Sequence, residues 1–212
     1  MRFLCVSDIH GHHDILKAVL TAAAETGFDQ LLVCGDMLFP GPEPLQTWRT
    51  LLEHKAVCVQ GIGDRALFEV DPKKLRATTP EAEARIQRLV GVRQELGDLI
   101  VARIGKLPST ARLPLEDGSE LLLVHGSPMD PSECFTSDMS DDEFYALLGD
   151  DPADIIVCGG SHELFQRQID NVRIVSVGSV GEAPGGGYAT AVFVESSPLG
   201  TAIVELNVPL TP

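Results

Sequence analysis

The sequence of 212 residues has no apolar run near the ~20 residues that a membrane-spanning helix needs. Its start, MRFLCVSDIHG, also lacks the pattern of a secretory signal, so we expect a cytoplasmic protein with no membrane partner. Basic residues are scarce, because 16 lysines and arginines face 31 aspartates and glutamates, a formal net charge of -15. Such a charge repels the backbone of DNA or RNA, so we expect no nucleic-acid partner.

Close cysteine pairs are absent as well. Four of the five cysteines, Cys5, Cys34, Cys58 and Cys158, lie in short apolar runs, and Cys134 lies apart from them. No two form a C-x-x-C pair. This pattern favours reduced thiols that fill the core over disulfides or a zinc site.

Strand and helix signals alternate in the amino-terminal half of the chain. Short apolar runs predict strands at 2–6, 31–34 and 56–59, and apolar residues at helical spacing predict helices at 14–25 and 45–54. This order indicates a βαβαβ unit, in which the strands pair in parallel.

The remainder is mainly strand, with two further helices. Thr79 and the proline after it begin a helix that we expect to reach about Leu96. Ser140 and Glu143 form a capping box that opens a helix ending at Leu148. Strands are predicted at 111–115, 121–124, 155–158, 165–169, 172–177, 188–194 and 201–208. We therefore predict an α/β (α+β) fold, a four-layer αββα sandwich of two mixed β-sheets flanked by helices. The length favours a single domain over residues 1–212.

Polar residues and glycines follow five of the predicted strands. They are Asp8-Ile9-His10-Gly11, Gly35-Asp36, Gly61-Ile62-Gly63-Asp64, His125-Gly126 and Gly159-Gly160-Ser161-His162. In open α/β sheets, binding sites gather at the carboxyl ends of strands. Mixed carboxylate and imidazole groups suit Mn²⁺, Fe or Zn²⁺. A carboxylate such as Asp36 can also bridge two ions about 3.5–4 Å apart. Each piece alone is more often structural, but the ordered series indicates a metal site.

In this order the motifs resemble those of the calcineurin-like metallophosphoesterases. That family carries D-x-H, G-D, G-N-[HC]-[DE], H-G and G-H-x-H. Its small bacterial branch runs SDIHGN, V-x-GN-x-D, HGSP, CGHTH and GSVG, and this chain has SDIHGH, VQGIGD, HGSP, CGGSH and GSVG at those places. It is most similar to a small bacterial, phosphodiesterase-like branch, over Arg2 to about Gly181. The resemblance implies the αββα sandwich and a two-metal site that hydrolyses phosphate mono- or diesters through a metal-activated water.

The resemblance also implies roles for individual residues. A first metal ion would be held by Asp8, His10, Asp36 and His162, and a second by Asp36 and His125. Asp36 and His125 would be the catalytic residues. The expected cofactor is a divalent ion of the Mn, Fe, Zn or Ni class, with one ion expected and two possible. The expected partner is a small phosphorylated substrate, and the oligomeric state is open.

The second site departs from the family pattern. The usual asparagine falls at Ile62, and the first histidine of G-H-x-H falls at Gly160. Gly63 stands where many members have a histidine that protonates the leaving group, and Ser176 replaces an asparagine before GSVG. Affinity for a metal depends on the number and charge of its ligands, so we expect weak binding of a second ion.

Several nearby residues have two interpretations each. His12 and His13 are either substitute ligands or, as we favour, solvated residues that start a helix. Asp64 either orients the site through hydrogen bonds or caps a short segment at 65–68. Arg65 either contacts a phosphate or forms a surface salt bridge. His54, at a helix end, is expected to be structural.

Three functions compete. The favoured one is a metal-dependent phosphoesterase with one strong metal site and reduced activity. The alternative is a catalytically inactive phosphoesterase fold used for binding or as a scaffold, as in the retromer subunit of this fold. A metal-free nucleotide-binding module is disfavoured, because no segment fits a phosphate-cradling G-x-G-x-x-G loop.

Overall fold

The computed structural model describes residues 1–150 and 152–210. Its helices and strands, in chain order, are β1 (Arg2–Val6), α1 (His13–Ala24), β2 (Gln30–Val33), α2 (Pro44–Glu53), β3 (Val57–Cys58), α3 (Ile62–Glu69), α4 (Pro80–Ile104), β4 (Thr110–Pro114), β5 (Glu120–Val124), α5 (Asp141–Leu148), β6 (Ile155–Cys158), β7 (Leu164–Ile169), β8 (Val172–Val177), β9 (Tyr188–Ser197) and β10 (Gly200–Pro209). A short 3₁₀ turn, Pro72–Lys74, precedes α4.

Two five-stranded sheets form the framework. The first has the strand order β10-β9-β1-β2-β3, and the second has the order β4-β5-β6-β8-β7. Both are mixed: β1, β2 and β3 run parallel, as do β5, β6 and β8, while the outer pairs are antiparallel. The predicted pair of mixed sheets is confirmed.

Alternation along the strands divides the apolar residues between layers. In β1, Phe3 and Cys5 pack in the core between the two sheets, whereas Leu4 and Val6 pack beneath the helices. Helices α1, α2 and α4 cover that outer face of the first sheet. On the outer face of the second sheet, Phe144 of α5 packs in a third cluster. The order of layers is therefore helix, sheet, sheet, helix, as the sequence predicts.

Two helices differ from the sequence prediction. The segment expected at 65–68 is a longer helix, α3, which begins at Ile62 because the Asp64 carboxylate accepts a hydrogen bond from the Gly61 amide. Helix α4 breaks near the expected end, at Gly97 with φ of 74°, but helical structure resumes and reaches Ile104. The pattern around Leu96 predicts the break and misses the last two turns.

The cysteines are all free thiols. The four in apolar runs are buried as predicted, whereas Cys134 is only half-buried. None of the helices within residues 1–150 and 152–210 is both long and apolar enough to cross a membrane. The single-domain assignment stays a prediction.

Candidate metal centre

The carboxyl ends of the central strands meet along one edge of the two sheets. Asp8 follows β1 and Asp36 follows β2, and these two strands pair in parallel up to Val6 and Val33. The two turns are joined by backbone hydrogen bonds, from the Asp8 amide to the Gly35 carbonyl at 3.1 Å and from the His10 amide to the Asp36 carbonyl at 2.9 Å. The strand ends therefore fix the side chains that the sequence places there.

Four of these side chains lie on strained backbone. Asp8, His10, Asp36 and His162 have φ angles of 52°, 48°, 48° and 61°. This left-handed region is uncommon for residues other than glycine, and such residues cluster at functional sites. Tight turns after the strands therefore aim these side chains at a common point.

The first ligand set consists of Asp8, His10 and His162, whose ligand atoms all lie within 4.8 Å of one another. Asp8 Oδ1 lies 3.3 Å from His162 Nε2 and 3.8 Å from His10 Nε2. The two imidazole Nε2 atoms are 3.4 Å apart. One carboxylate oxygen and two ring nitrogens thus converge on a volume the size of an ion.

Backbone carbonyls fix the tautomers of two histidines. His10 Nδ1 lies 2.6 Å from the Phe39 carbonyl oxygen, and His125 Nδ1 lies 2.8 Å from that of Cys34. A carbonyl oxygen only accepts, so each Nδ1 must be the donor. Each Nε2 of the neutral rings is left with a free lone pair that faces the carboxylates, which is how metal-binding histidines are oriented.

Asp8 shows directly that the site suits a cation. Its Oδ2 accepts a hydrogen bond of 2.9 Å from the Gly160 amide, but its fully buried Oδ1 has no partner of hydrogen-bond geometry. Burial opposes the charged form of Asp8, but the imidazoles of His162 and His125 and the Gly160 amide outweigh it and lower its pKa. A buried, charged and unsatisfied oxygen is costly unless a cation meets it.

The second ligand set consists of Asp8, Asp36 and His125, again within 4.8 Å. Asp36 Oδ1 accepts a hydrogen bond of 2.7 Å from the Gly63 amide, and Asp36 Oδ2 lies 3.7 Å from His125 Nε2. The carboxylate common to both sets is Asp8. The structure brings Asp36 to His125 and Asp8, and it does not join Asp36 to the set of His10 and His162.

The two positions that depart from the family pattern contribute no ligand. Ile62, the first residue of α3, is 49% exposed. Gly160 has φ of 75°, and a Cβ added there would overlap the Cys134 sulfur and lie 3.4 Å from His125 Nε2. Besides the shared Asp8, the second set therefore contains the Asp36 carboxylate and the His125 imidazole.

Asp64 supports the backbone beneath Asp36. It is fully buried and accepts hydrogen bonds from the amides of Met37 and Gly61, both at 3.1 Å. Burial, and then the negative charge of Asp36, raise the pKa of Asp64 to about 7. Its hydrogen bonds to two different turns fit the interpretation that Asp64 orients the site. Asp64 also caps α3, as the third residue of that helix.

The sequence-based reasoning missed Glu182. Its Oε2 lies 3.8 Å from His10 Nε2 and 3.9 Å from His162 Nδ1. The pKa of His162 is raised, chiefly by the neighbouring carboxylate of Asp8 and further by the charge of Glu182. The Glu182 amide donates to Ser179 Oγ, which itself donates to the Asp8 carbonyl oxygen. Its position directly after GSVG was the available signal.

The other candidates lie outside both ligand sets. His12 packs beside Gly181. His13 is the first residue of α1, and its Nε2 lies 3.0 Å from Thr50 Oγ1. Arg65 forms an exposed salt bridge of 3.6 Å with Glu69, one turn further along α3. A half-exposed group of His13, Asp14 and Glu43 could also approach a cation, but His13 is already hydrogen-bonded.

Sequence comparison places this chain in a known family. The family model described as the calcineurin-like phosphoesterase superfamily domain matches residues 1–197. The chain belongs to this superfamily. Members of the superfamily hydrolyse phosphoesters with divalent metal ions, and the residues of both candidate ligand sets lie within the matched range. No curated protein sequence matches the chain significantly.

Solved structures share the fold of this chain. A hypothetical protein of Pyrococcus horikoshii OT3 is 17% identical with a TM-score of 0.80, covering 97% of this chain and 87% of its own. A metallophosphoesterase of Sphaerobacter thermophilus is 20% identical with a TM-score of 0.78, covering 100% and 89%. A putative diadenosine tetraphosphatase is 21% identical with a TM-score of 0.61, covering 97% and 93%. At these identities the likeness establishes the fold alone.

Proposed function

We propose that this phosphoesterase hydrolyses small phosphate mono- or diesters through a metal-activated water, with one strong metal site and reduced activity. Asp8, His10 and His162 would hold the first ion. Asp36 and His125, with Asp8 shared, would approach a second ion that binds more weakly. The single observation that carries the proposal is the buried, unpartnered Oδ1 of Asp8 facing two imidazole nitrogens.

A divalent ion at this site would polarise a phosphoryl oxygen and lower the pKa of a water molecule. The surrounding residues hold the site rigid. The Phe39 and Cys34 carbonyls hold the rings of His10 and His125, and the Gly63 amide holds Asp36. Neutral His125 offers a lone pair as a ligand, and in its protonated form it would donate to the charge that develops on phosphate.

The donor set limits the metal without fixing it. Imidazole and carboxylate together suit Mn²⁺, Fe, Zn²⁺ or Ni²⁺, and we propose Mn²⁺ for the first tests. A cytoplasmic location and the absence of nucleic-acid partners are part of the same proposal, and the net charge of -15 supports the second point.

A binding or scaffold protein is the second candidate, and the two lost ligands favour it. Without Ile62 or Gly160 as donors, a two-ion clamp on the attacking and leaving oxygens has few ligands on one side. Against this candidate stand the strained backbone at Asp8 and His10 and the unsatisfied Asp8 oxygen, which a scaffold has no reason to keep.

Hydrolysis of p-nitrophenyl phosphate and bis-p-nitrophenyl phosphate after loading with Mn²⁺ tests the proposal. We expect turnover in the unaltered protein and a loss of roughly 100-fold in Asp36→Asn, because a carboxylate that would approach the metal is lost. The exposed Asp98→Asn is the matched control and should keep full activity. The preferred ester separates a monoesterase from a diesterase.

Turnover equal in the unaltered protein and in Asp36→Asn would contradict the proposal, whichever divalent metal is used. The scaffold candidate would then be favoured, provided that both proteins give the same circular dichroism spectrum.

A further inference from the structure

Cys134 is the one cysteine that is not fully buried in the core. The other four are buried, and Cys134 is half-buried in the segment between β5 and α5. Its sulfur occupies the space that a side chain at Gly160 would need. In the family pattern that side chain is the histidine missing from the second metal site. The thiol therefore lies where the lost imidazole would begin.

The segment before Cys134 has a fixed conformation. The Ser127 hydroxyl donates to the Asp130 carbonyl at 3.0 Å, and the Glu133 amide donates to the same oxygen at 2.9 Å. A Cβ on Gly126 would come within 2.6 Å of the Pro131 carbonyl oxygen, so only glycine lets the loop fold back this closely. The next residue, Phe135, is fully buried and anchors the other end of the loop.

A second observation points to a ligand at the same place. The His125 ring is only 1% exposed, and its Nδ1 donates a hydrogen bond to the Cys34 carbonyl oxygen. Its Nε2 has no hydrogen-bond partner among the described residues, and it lies 3.4 Å from the Gly160 Cβ position that the Cys134 sulfur overlaps. This buried nitrogen with a free lone pair thus lies near both the Asp36 carboxylate, at 3.7 Å, and the space beside the thiol. A cation between this nitrogen and the thiol would satisfy both.

We propose that the Cys134 thiolate replaces the missing imidazole and completes a second metal site with Asp8, Asp36 and His125. The inference rests on the proposed metal site, since Asp8 is shared between the two sets. Binding releases the thiol proton to solvent and forms one sulfur–metal bond. Cys134 lies outside both sets of atoms within 4.8 Å. Ligation would therefore require its side chain to turn towards His125.

The thiolate changes which ion the second site selects. A soft sulfur ligand favours Zn²⁺, Co²⁺ or Cd²⁺ over Mg²⁺ and Mn²⁺. The first set, with oxygen and nitrogen only, has no such preference for soft ions. The two positions would therefore differ in chemistry, and an assay with Mn²⁺ alone would fill only the first.

Titration of the metal-free protein with Co²⁺ tests this site directly. Sulfur-to-cobalt charge transfer gives a near-ultraviolet absorption band that oxygen and nitrogen ligands do not give. We expect two equivalents to bind, with the band appearing during the second. In Cys134→Ser the band should vanish and the second equivalent should bind weaker by roughly 100-fold, the upper end of losses for residues that merely orient a ligand.

Cys58→Ala is the matched control, because the Cys58 thiol is buried in the core between the first sheet and the helices that cover it. It should keep the band. A band that survives in Cys134→Ser, or a second equivalent that binds the unaltered protein without any band, would overturn the proposal, as would the binding of a single equivalent. Binding of the first equivalent, and turnover with it, report separately on the proposed function and on folding of each variant.

Discussion

The two halves of the candidate metal centre differ in how many of their ligands they retain. In the first half, Asp8, His10 and His162 lie on tight turns with positive φ that follow β1 and β6. In the second half, Asp36 and His125 keep their places, but the two remaining positions of the family pattern carry Ile62 and Gly160. One half is complete, and the other retains the framework without all its donors.

The difference shows which part of a ligand position the fold itself needs. Gly160 has no side chain to bind metal, yet its amide still donates to Asp8 Oδ2 at 2.9 Å. Ile62 offers no donor, yet it still starts α3. Both backbone roles survive the loss of the side chain, so the second half can lose ligands while the geometry of the first half is maintained.

Removing a ligand from the complete half should have the largest effect. We expect His162→Ala to weaken binding of the first Mn²⁺ by roughly 100-fold or more, since one of three converging ligand atoms is lost. Isothermal titration calorimetry measures the affinity. His54→Ala is the control, because His54 is exposed and stacks on Phe28 far from the ligand sets. An unchanged affinity in His162→Ala would mean that the first ion binds elsewhere.

Adding a ligand to the incomplete half should have a smaller effect. We expect Ile62→Asn to tighten binding of the second ion by roughly tenfold, because an amide oxygen is restored at the family's ligand position. The cost to folding should be slight, since Ile62 is about half exposed at the first position of α3. Ile62→Gln, with one more methylene, separates the gain of a placed ligand from the mere gain of polarity. Equal affinities in Ile62→Asn and the parent would show that the side chain at 62 does not reach the ion.

Much of this contrast could be predicted from the sequence. Short apolar runs locate the strands, and the polar residues after Val6 and Cys158 must follow them because the chain leaves the sheet there. The sequence also shows that Ile62 and Gly160 lack donor atoms. Both sheets and the convergence of the five site residues follow from these local patterns.

Long-range contacts were beyond the sequence. Cys134 is 26 positions from Gly160, and no local pattern relates its sulfur to that glycine. Glu182 meets His10 only because the turn after β8 lies against the turn after β1, where the Val180 amide donates to the Ser7 carbonyl. Nor does spacing decide that Asp8, rather than Asp36, is common to both sets. Such contacts depend on how the two sheets are packed.

The exposed carboxylate of Glu182 should affect the first half only modestly. We expect Glu182→Gln to weaken the first Mn²⁺ by about two- to fivefold, because an exposed charge contributes about 0.2–1 kcal/mol. The effect should shrink further in high salt. Glu53→Gln, an exposed change on α2, is the control for net charge. A loss as large as that in His162→Ala would instead make Glu182 a ligand.

The smallest effect we expect is a pH dependence of the first half. Because Asp8 raises the pKa of His162 above its ordinary 6.5, the folded, metal-free protein holds that proton more tightly than the unfolded chain. The resulting stabilisation is complete below pH 6.5 and is lost as the pH rises through the raised pKa. The pKa of Asp64, raised from 3.8 to about 7, has the same consequence: the protein loses stability as the pH rises, here between those two values.

Thermal unfolding in the presence of a chelator, from pH 7 to pH 9, therefore reports on His162 together with the end of the Asp64 titration, and variants of the two residues separate them. The unfolding temperature should fall by no more than about 2 °C, since the ring is partly exposed and solvent screens the pair. In His162→Gln this fall should be reduced, whereas Asp64→Asn should retain it and lose the dependence at lower pH. Equal slopes above pH 7 in the parent and in His162→Gln would show that the Asp8–His162 pair does not stabilise the metal-free fold, and that the first half owes its order to the backbone turns alone.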